Sequence, residues 1–197
     1  MNQASSTNHI ALFGTSADPP TAGHQTILKW LAQHYNLVVV WASDNPFKKH
    51  QSSLQARSEM LNLIIREIKS ANNIILDQSI SDRKTLLTVQ KAQQIWQNAK
   101  FTVVIGADLV QQITTWYQIE KLLKQVNILI IPRPGYAIKQ SDLVKLKALG
   151  GQYTIANFSP PEVSSSSYRL QGNTNIITSA VEKYIESKDL YSHNATQ

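Results

Sequence analysis

Leu37-Val38-Val39-Val40-Trp41-Ala42 is the stretch that narrows the fold most. A continuous apolar run rich in β-branched residues suits a strand covered on both faces, and such strands belong to parallel sheets. Runs of the same kind recur at His9 to Phe13, Ile74 to Leu76, Phe101 to Ile105, Val126 to Ile131 and Tyr153 to Phe158. Segments of helical period lie between them. Gly23 to His34 puts Ile27, Leu28 and Leu31 on one face, and Leu54 to Ser70 does so with Leu54, Leu61, Ile64, Ile65 and Ile68. Thr85 to Asn98 turns Leu86, Val89, Ala92 and Trp96 inward, and Val181 to Leu190 reads as a C-terminal helix. Strands and helices alternating at this spacing form right-handed βαβ units. The expected class is α/β: a doubly wound, mostly parallel sheet with helices on both faces. Ligands in such a fold sit beyond the carboxyl ends of the strands, where the strand order reverses.

The 197 residues suit one domain, expected over 9–191, with polar tails at 1–8 and 192–197. No run approaches the roughly 20 apolar residues that cross a bilayer, and the N-terminus has no apolar signal core. Membrane partners are therefore not expected, and cytoplasm is the default compartment. The absence of cysteine excludes disulfides, thiolate metal sites and cysteine nucleophiles. The formal charge of +6 fits a site for polyphosphates or a mildly basic surface. The Lys and Arg residues are scattered and no nucleic-acid motif appears, so nucleic acid is not an expected partner.

Loops that follow strands carry the candidate chemistry. After the first strand comes Gly14-Thr15-Ser16-Ala17-Asp18-Pro19-Pro20-Thr21-Ala22-Gly23-His24. Strand, tight loop and helix N-terminus together make an anion site, because the first N–H groups of a helix are free and the dipole favours negative charge. Gly14, lacking a Cβ, is expected to let a ligand approach the backbone. Lys48 and Lys49 follow the second strand, as phosphate-countering ammonium groups or as an ordinary basic loop. Asp108, after Gly106, could accept from ribose hydroxyls or cap a helix. Trp116 could stack on an aromatic base or belong to the core. Arg133 could hold a phosphate or carboxylate as a fork. Val163-Ser164-Ser165-Ser166-Ser167-Tyr168-Arg169 offers hydroxyl and N–H donors with a full charge one turn later, a cradle for pyrophosphate.

In chain order, GTxxDPxTxGH, NPFKK with Arg57 beyond it, IGAD, TWYQIE, IIPRPGY and VSSSSYR resemble the nicotinate/nicotinamide mononucleotide adenylyltransferases. The C-terminal Val181 to Ile185 and Leu190-Tyr191 are similar to that family too. The resemblance implies a Rossmann-like nucleotidyltransferase fold. It implies adenylyl transfer from ATP to nicotinate mononucleotide, with nicotinamide mononucleotide as a second candidate acceptor, in NAD biosynthesis. It implies Mg²⁺ accompanying ATP, with no dedicated protein metal site, and it leaves a homo-oligomer open. By the same resemblance His24, Lys48 and Arg169 are catalytic. Gly14, Thr15, Thr21, Gly23, His24, Gly106, Asp108, Ser165, Ser166 and Arg169 bind ATP. Lys48, Thr85, Trp116 and Arg133 bind the mononucleotide.

Two departures bear on the acceptor. Thr21 stands where many members have His, a Thr that the pantetheine-phosphate adenylyltransferases also use, and Ser81-Asp82 replaces a Tyr-Thr pair. The competing expectations are another small-molecule adenylyltransferase of that superfamily and a nucleotide-binding sensor without turnover.

Overall fold

The computed structural model describes residues 8–44 and 49–191. The expected tails lie outside these except for Asn8, whose carbonyl accepts the Lys100 N–H at 2.8 Å. The expectation for Lys48 also falls outside the described residues.

The apolar runs form six strands: β1 (His9–Thr15), β2 (Leu37–Ala42), β3 (Ile74–Leu76), β4 (Lys100–Gly106), β5 (Val126–Ile131) and β6 (Tyr153–Ile155). The helices are α1 (Ala22–His34), α2 (Leu54–Glu67), α3 (Thr85–Ile95), α4 (Ile119–Leu123), α5 (Gln140–Ala148), α6 (Ser165–Gln171) and α7 (Ser179–Ser187). The sheet is parallel at every pairing, in the order β3-β2-β1-β4-β5-β6.

Side chains alternate across each strand, so one strand feeds two cores. Ile10, Leu12, Val39, Trp41 and Val103 pack on one face with Leu86 and Val89 of α3, Leu122 of α4 and Leu143 and Leu146 of α5. Ala11, Phe13, Val38 and Val40 pack on the other with Leu28 and Leu31 of α1, Met60, Leu61 and Ile64 of α2, and Val181 and Ile185 of α7. Burying one such Leu contributes about 1.5–3 kcal/mol, and Leu28, Leu31 and Leu61 are buried completely.

Several boundaries differ from the sequence expectation. Leu54 opens α2 and is 36% exposed, whereas Met60 and Arg57 take the buried positions. α2 stops before Ile68, whose N–H bonds the Ile65 carbonyl in a tightened last turn. β6 ends at Ile155, and Phe158 leaves the sheet to stack on Trp30 of α1 at 5.0 Å. The C-terminal helix starts at Ser179, where Thr178 Oγ1 accepts the Val181 N–H as N-cap. Among the described residues no helix is long and apolar enough to cross a membrane.

The reversal point lies between β1 and β4. β1 stays paired with β2 as far as Thr15–Ala42, but its pairing with β4 ends at Leu12–Val103. Beyond that register the two central strands part, which opens a crevice at their carboxyl ends.

Candidate active site

A cavity of about 920 Å³ occupies this crevice. Phe13 and Gly14 of β1, Val104 and Ile105 of β4 and Ile131 of β5 form its floor, and four strand-end or helix-start loops form its walls. Gly14, Thr15, Thr21, Gly23, His24, Gly106, Asp108, Arg133, Ser165, Ser166 and Arg169 all line it. Residues separated by as many as 155 positions in the chain, from Gly14 to Arg169, are thus brought to one space.

His24 is held at the third position of α1. Its Nδ1 accepts the backbone N–H of Thr21 at 3.1 Å, completing a capping box in which a histidine takes the usual Glu or Gln place. A nitrogen that accepts a backbone N–H carries no proton, so the proton of the neutral ring sits on Nε2. Nε2 is 3.0 Å from Thr15 Oγ1 at the end of β1. The ring therefore presents an N–H donor at the strand end, beside the α1 N-terminus. The first turn of α1 contains no acidic side chain to occupy the positive end of its dipole.

Thr21 is engaged with the histidine. It is fully buried, with Oγ1 3.0 Å from His24 Nδ1. Its side chain orients the histidine from behind and does not present itself to a ligand.

The glycines also have packing reasons beside those expected. A Cβ on Gly14 would lie 2.5 Å from the Trp41 ring, so Gly14 makes room for its own β2 partner besides lining the cavity. A Cβ on Gly106 would lie 2.4 Å from Asp108 Oδ1, so this glycine admits the aspartate side chain.

Asp108 neither caps a regular helix nor stands alone. It pairs with Arg133 at 3.1 Å across the mouth of the cavity, and the Arg133 guanidinium lies 5.1 Å from the Tyr136 ring. The fork expected to meet a ligand is thus already engaged on one side.

Asp18 organises the wall beneath His24. It is 2% exposed. Its carboxylate accepts the Gln51 N–H at 2.7 Å, the Ser52 hydroxyl at 2.6 Å, the Ser52 N–H at 3.3 Å and the Tyr191 hydroxyl. Burial alone would raise its pKa. The donors from Ser52, Tyr191 and Gln51, with the charge of Arg169, outweigh burial and hold the carboxyl below the usual range. Burial and the bond to Asp18 together push the Tyr191 hydroxyl up.

Arg169 donates to the Asp18 carbonyl and, at 3.2 Å, to Ser166 Oγ. Ser165 Oγ donates to the Pro19 carbonyl at 2.7 Å. Its hydroxyl proton, expected for a phosphate, is directed at the loop. Arg57 is buried behind the same wall and donates to the Ser16 carbonyl at 2.9 Å and the Ser43 carbonyl at 2.7 Å. It ties the β1–α1 loop to the end of β2.

Thr85 and Trp116 do not line this cavity. Trp116 is half-buried and packs against the core on the α3 face. The two share a neighbourhood, because Lys84 places its ammonium 4.1 Å from the Tyr117 ring. Leu109, which does line the cavity, packs against the same core as Trp116.

From sequence, Asp18, Ser52 and Tyr191 have no assigned role in the site. Asp18 stands in the GTxxDPxTxGH motif and Tyr191 in the C-terminal resemblance, but no local pattern links the two.

A parallel sheet that opens at its reversal point onto a histidine-bearing helix start fits a nucleotidyltransferase, and the family model described as cytidylyltransferase-like matches residues 12–171. A Synechocystis protein named "Probable nicotinate-nucleotide adenylyltransferase" is 45% identical, covering 92% of this chain and 98% of its own length. A Bacillus mycoides protein of the same name is 30% identical over 92% of this chain and 97% of its own. The chain belongs to the nicotinate-nucleotide adenylyltransferase family. The fold agrees with that of the Plasmodium falciparum nicotinic acid mononucleotide adenylyltransferase complexed with NaAD. Its TM-score is 0.78 at 22% identity, over 95% of this chain and 98% of that one. The same enzyme complexed with APC gives 0.75.

Proposed function

We propose that this chain transfers the adenylyl group of ATP to the 5′-phosphate of nicotinate mononucleotide, forming the dinucleotide and releasing pyrophosphate. The observation that carries the reading is the convergence of the His24 Nε2–H, the α1 N-terminus and Arg169 on one cavity at the sheet's reversal point.

The acceptor phosphate is already an anionic nucleophile and needs no general base. Its oxygen attacks the α-phosphorus in line; the bond to the β-phosphate oxygen breaks, and pyrophosphate leaves with that electron pair. What remains for the protein is positioning and charge stabilisation. His24 donates to a non-bridging oxygen, the α1 N-terminus and Thr15 hold the phosphate chain, and Arg169 with the α6 serines takes the departing pyrophosphate. Lys48 is proposed for the same charge-stabilising role, and Lys49 lines the cavity beside it in sequence.

Among the described residues no group of three or more His, Asp or Glu could hold a metal. A hydrated Mg²⁺ coordinated mainly by substrate phosphates asks for no such cage, and a cavity rich in N–H and hydroxyl donors suits a triphosphate that carries one. Bound in this way it would neutralise part of the phosphate charge.

The acceptor ring is assigned to the Thr85–Trp116 neighbourhood next to Leu109, with Trp116 as the stacking face. The buried role of Thr21 weakens the case for a pantetheine-phosphate acceptor, since Thr there serves to orient His24. Pyrophosphate release with ATP, Mg²⁺ and each acceptor in turn tests the reading. Nicotinate mononucleotide is expected to give the highest kcat/KM. A higher value with pantetheine phosphate, or pyrophosphate from no acceptor, would reject it.

A further inference from the structure

We infer that Tyr191 is a positioning residue for the phosphate-holding wall, acting through Asp18 on Arg169. The inference deepens the reading of Arg169 as a phosphate-holding group and rests on it.

Asp18 works at both ends. Its main-chain carbonyl accepts Arg169, and its carboxylate accepts Tyr191, Ser52 and Gln51. The direction in which the carbonyl points therefore depends on what holds the carboxylate. Tyr191 comes from 173 residues away and is brought back by α7 packing against α2. Its hydroxyl donates to Asp18 Oδ1 and lies 2.8 Å from Ser52 Oγ. Its ring meets the Tyr168 ring edge-on, with centroids 5.9 Å apart and planes at 83°. Tyr168 immediately precedes Arg169 on α6.

Tyr191 thus braces both partners of the Arg169–Asp18 contact: the loop through its hydroxyl, the helix through its ring. Without the hydroxyl, Oδ1 keeps only the Ser52 donors and Oδ2 the Gln51 N–H, so both oxygens answer to one two-residue segment and the tie to the C-terminus is gone. The carboxylate then resettles on that segment alone, and the carbonyl no longer meets Arg169 squarely. Hydrogen bonds to a charged group are steep in distance and angle, so a small turn weakens the hold on Arg169.

The test is a double-mutant cycle on ATP binding by calorimetry, using wild type, Tyr191→Phe, Arg169→Ala and the double variant, at a temperature where circular dichroism shows all four folded. Phenylalanine keeps the edge-on ring and removes only the hydroxyl. Tyr191→Phe is expected to raise the ATP Kd about tenfold, the size of one charge-assisted hydrogen bond. In the Arg169→Ala background the same change is expected to add less than about twofold, because the group it acts through is gone. Equal losses in the two backgrounds, or an unchanged Kd in Tyr191→Phe, would overturn the inference. The cycle reads binding and not turnover, so a wild type that binds ATP but releases no pyrophosphate would fail the enzymatic reading and leave this one standing. A wild type that binds no ATP would overturn both.

Discussion

Gly14 illustrates how a residue's reason can lie across the sheet and not along the chain. A glycine beside a phosphate loop reads naturally as room for a ligand. The clash that forbids a side chain is with Trp41, its partner in the β1–β2 register. Gly14→Ala is expected to destabilise the protein by roughly 1–3 kcal/mol through overpacking, seen as a lower denaturation midpoint at unchanged m-value. An unchanged midpoint would return Gly14 to the ligand side. Thr21 and Asp108 teach the same lesson. Their identities were legible in the sequence as parts of a site. The contact of Asp108 was not, because its partner Arg133, 25 residues on, is set only when β4 and β5 align, and that of Thr21 depends on the turn of the His24 ring three residues on.

At the scale of elements, legibility tracked burial. β2, β3 and β5 stand where their apolar runs put them, and α1 begins one residue earlier than its period suggests. α4 and α5 escaped notice because each shows the core only a few side chains; α5 buries Leu143, Leu146 and Asp142 among nine residues. The loop before α1 was recognised as chemistry, yet its anchor to the C-terminus was invisible, since one tyrosine beyond a helix has no period. That anchor has a consequence for acid stability. The folded pKa of Asp18 is depressed, so ionised Asp18 stabilises the fold fully above its unfolded value of about 3.9. The contribution disappears as pH falls through the lower folded value. Burial opposes this direction, and the donors from Ser52, Tyr191 and Gln51 with the charge of Arg169 set it. Asp18→Asn leaves backbone donors facing an amide and is expected to cost roughly 1–3 kcal/mol at pH 7. The difference in melting temperature between variant and wild type is expected to narrow below about pH 4. A constant difference from pH 7 to pH 3 would contradict the assignment of Asp18 as the ionised hub.

For the whole molecule, the architecture places the chemistry. Two successive crossovers build one half of the sheet outward from β1, the chain then crosses to the far side, and β4 to β6 build the other half. At the seam the two central strand ends separate, and loops from both sides of it line the cavity. α6 and α7 return to the face that carries α1 and α2 and close the phosphate side from behind, which is why a late serine–arginine segment meets an early histidine. The central claim is that this histidine, by way of its Nε2–H, carries charge in the transfer. It is tested most directly by steady-state pyrophosphate release from wild type and His24→Ala with ATP, Mg²⁺ and nicotinate mononucleotide, alongside circular dichroism. The account predicts a kcat lower by about 10²–10³ in a folded variant. A folded His24→Ala protein with near-normal kcat would contradict it.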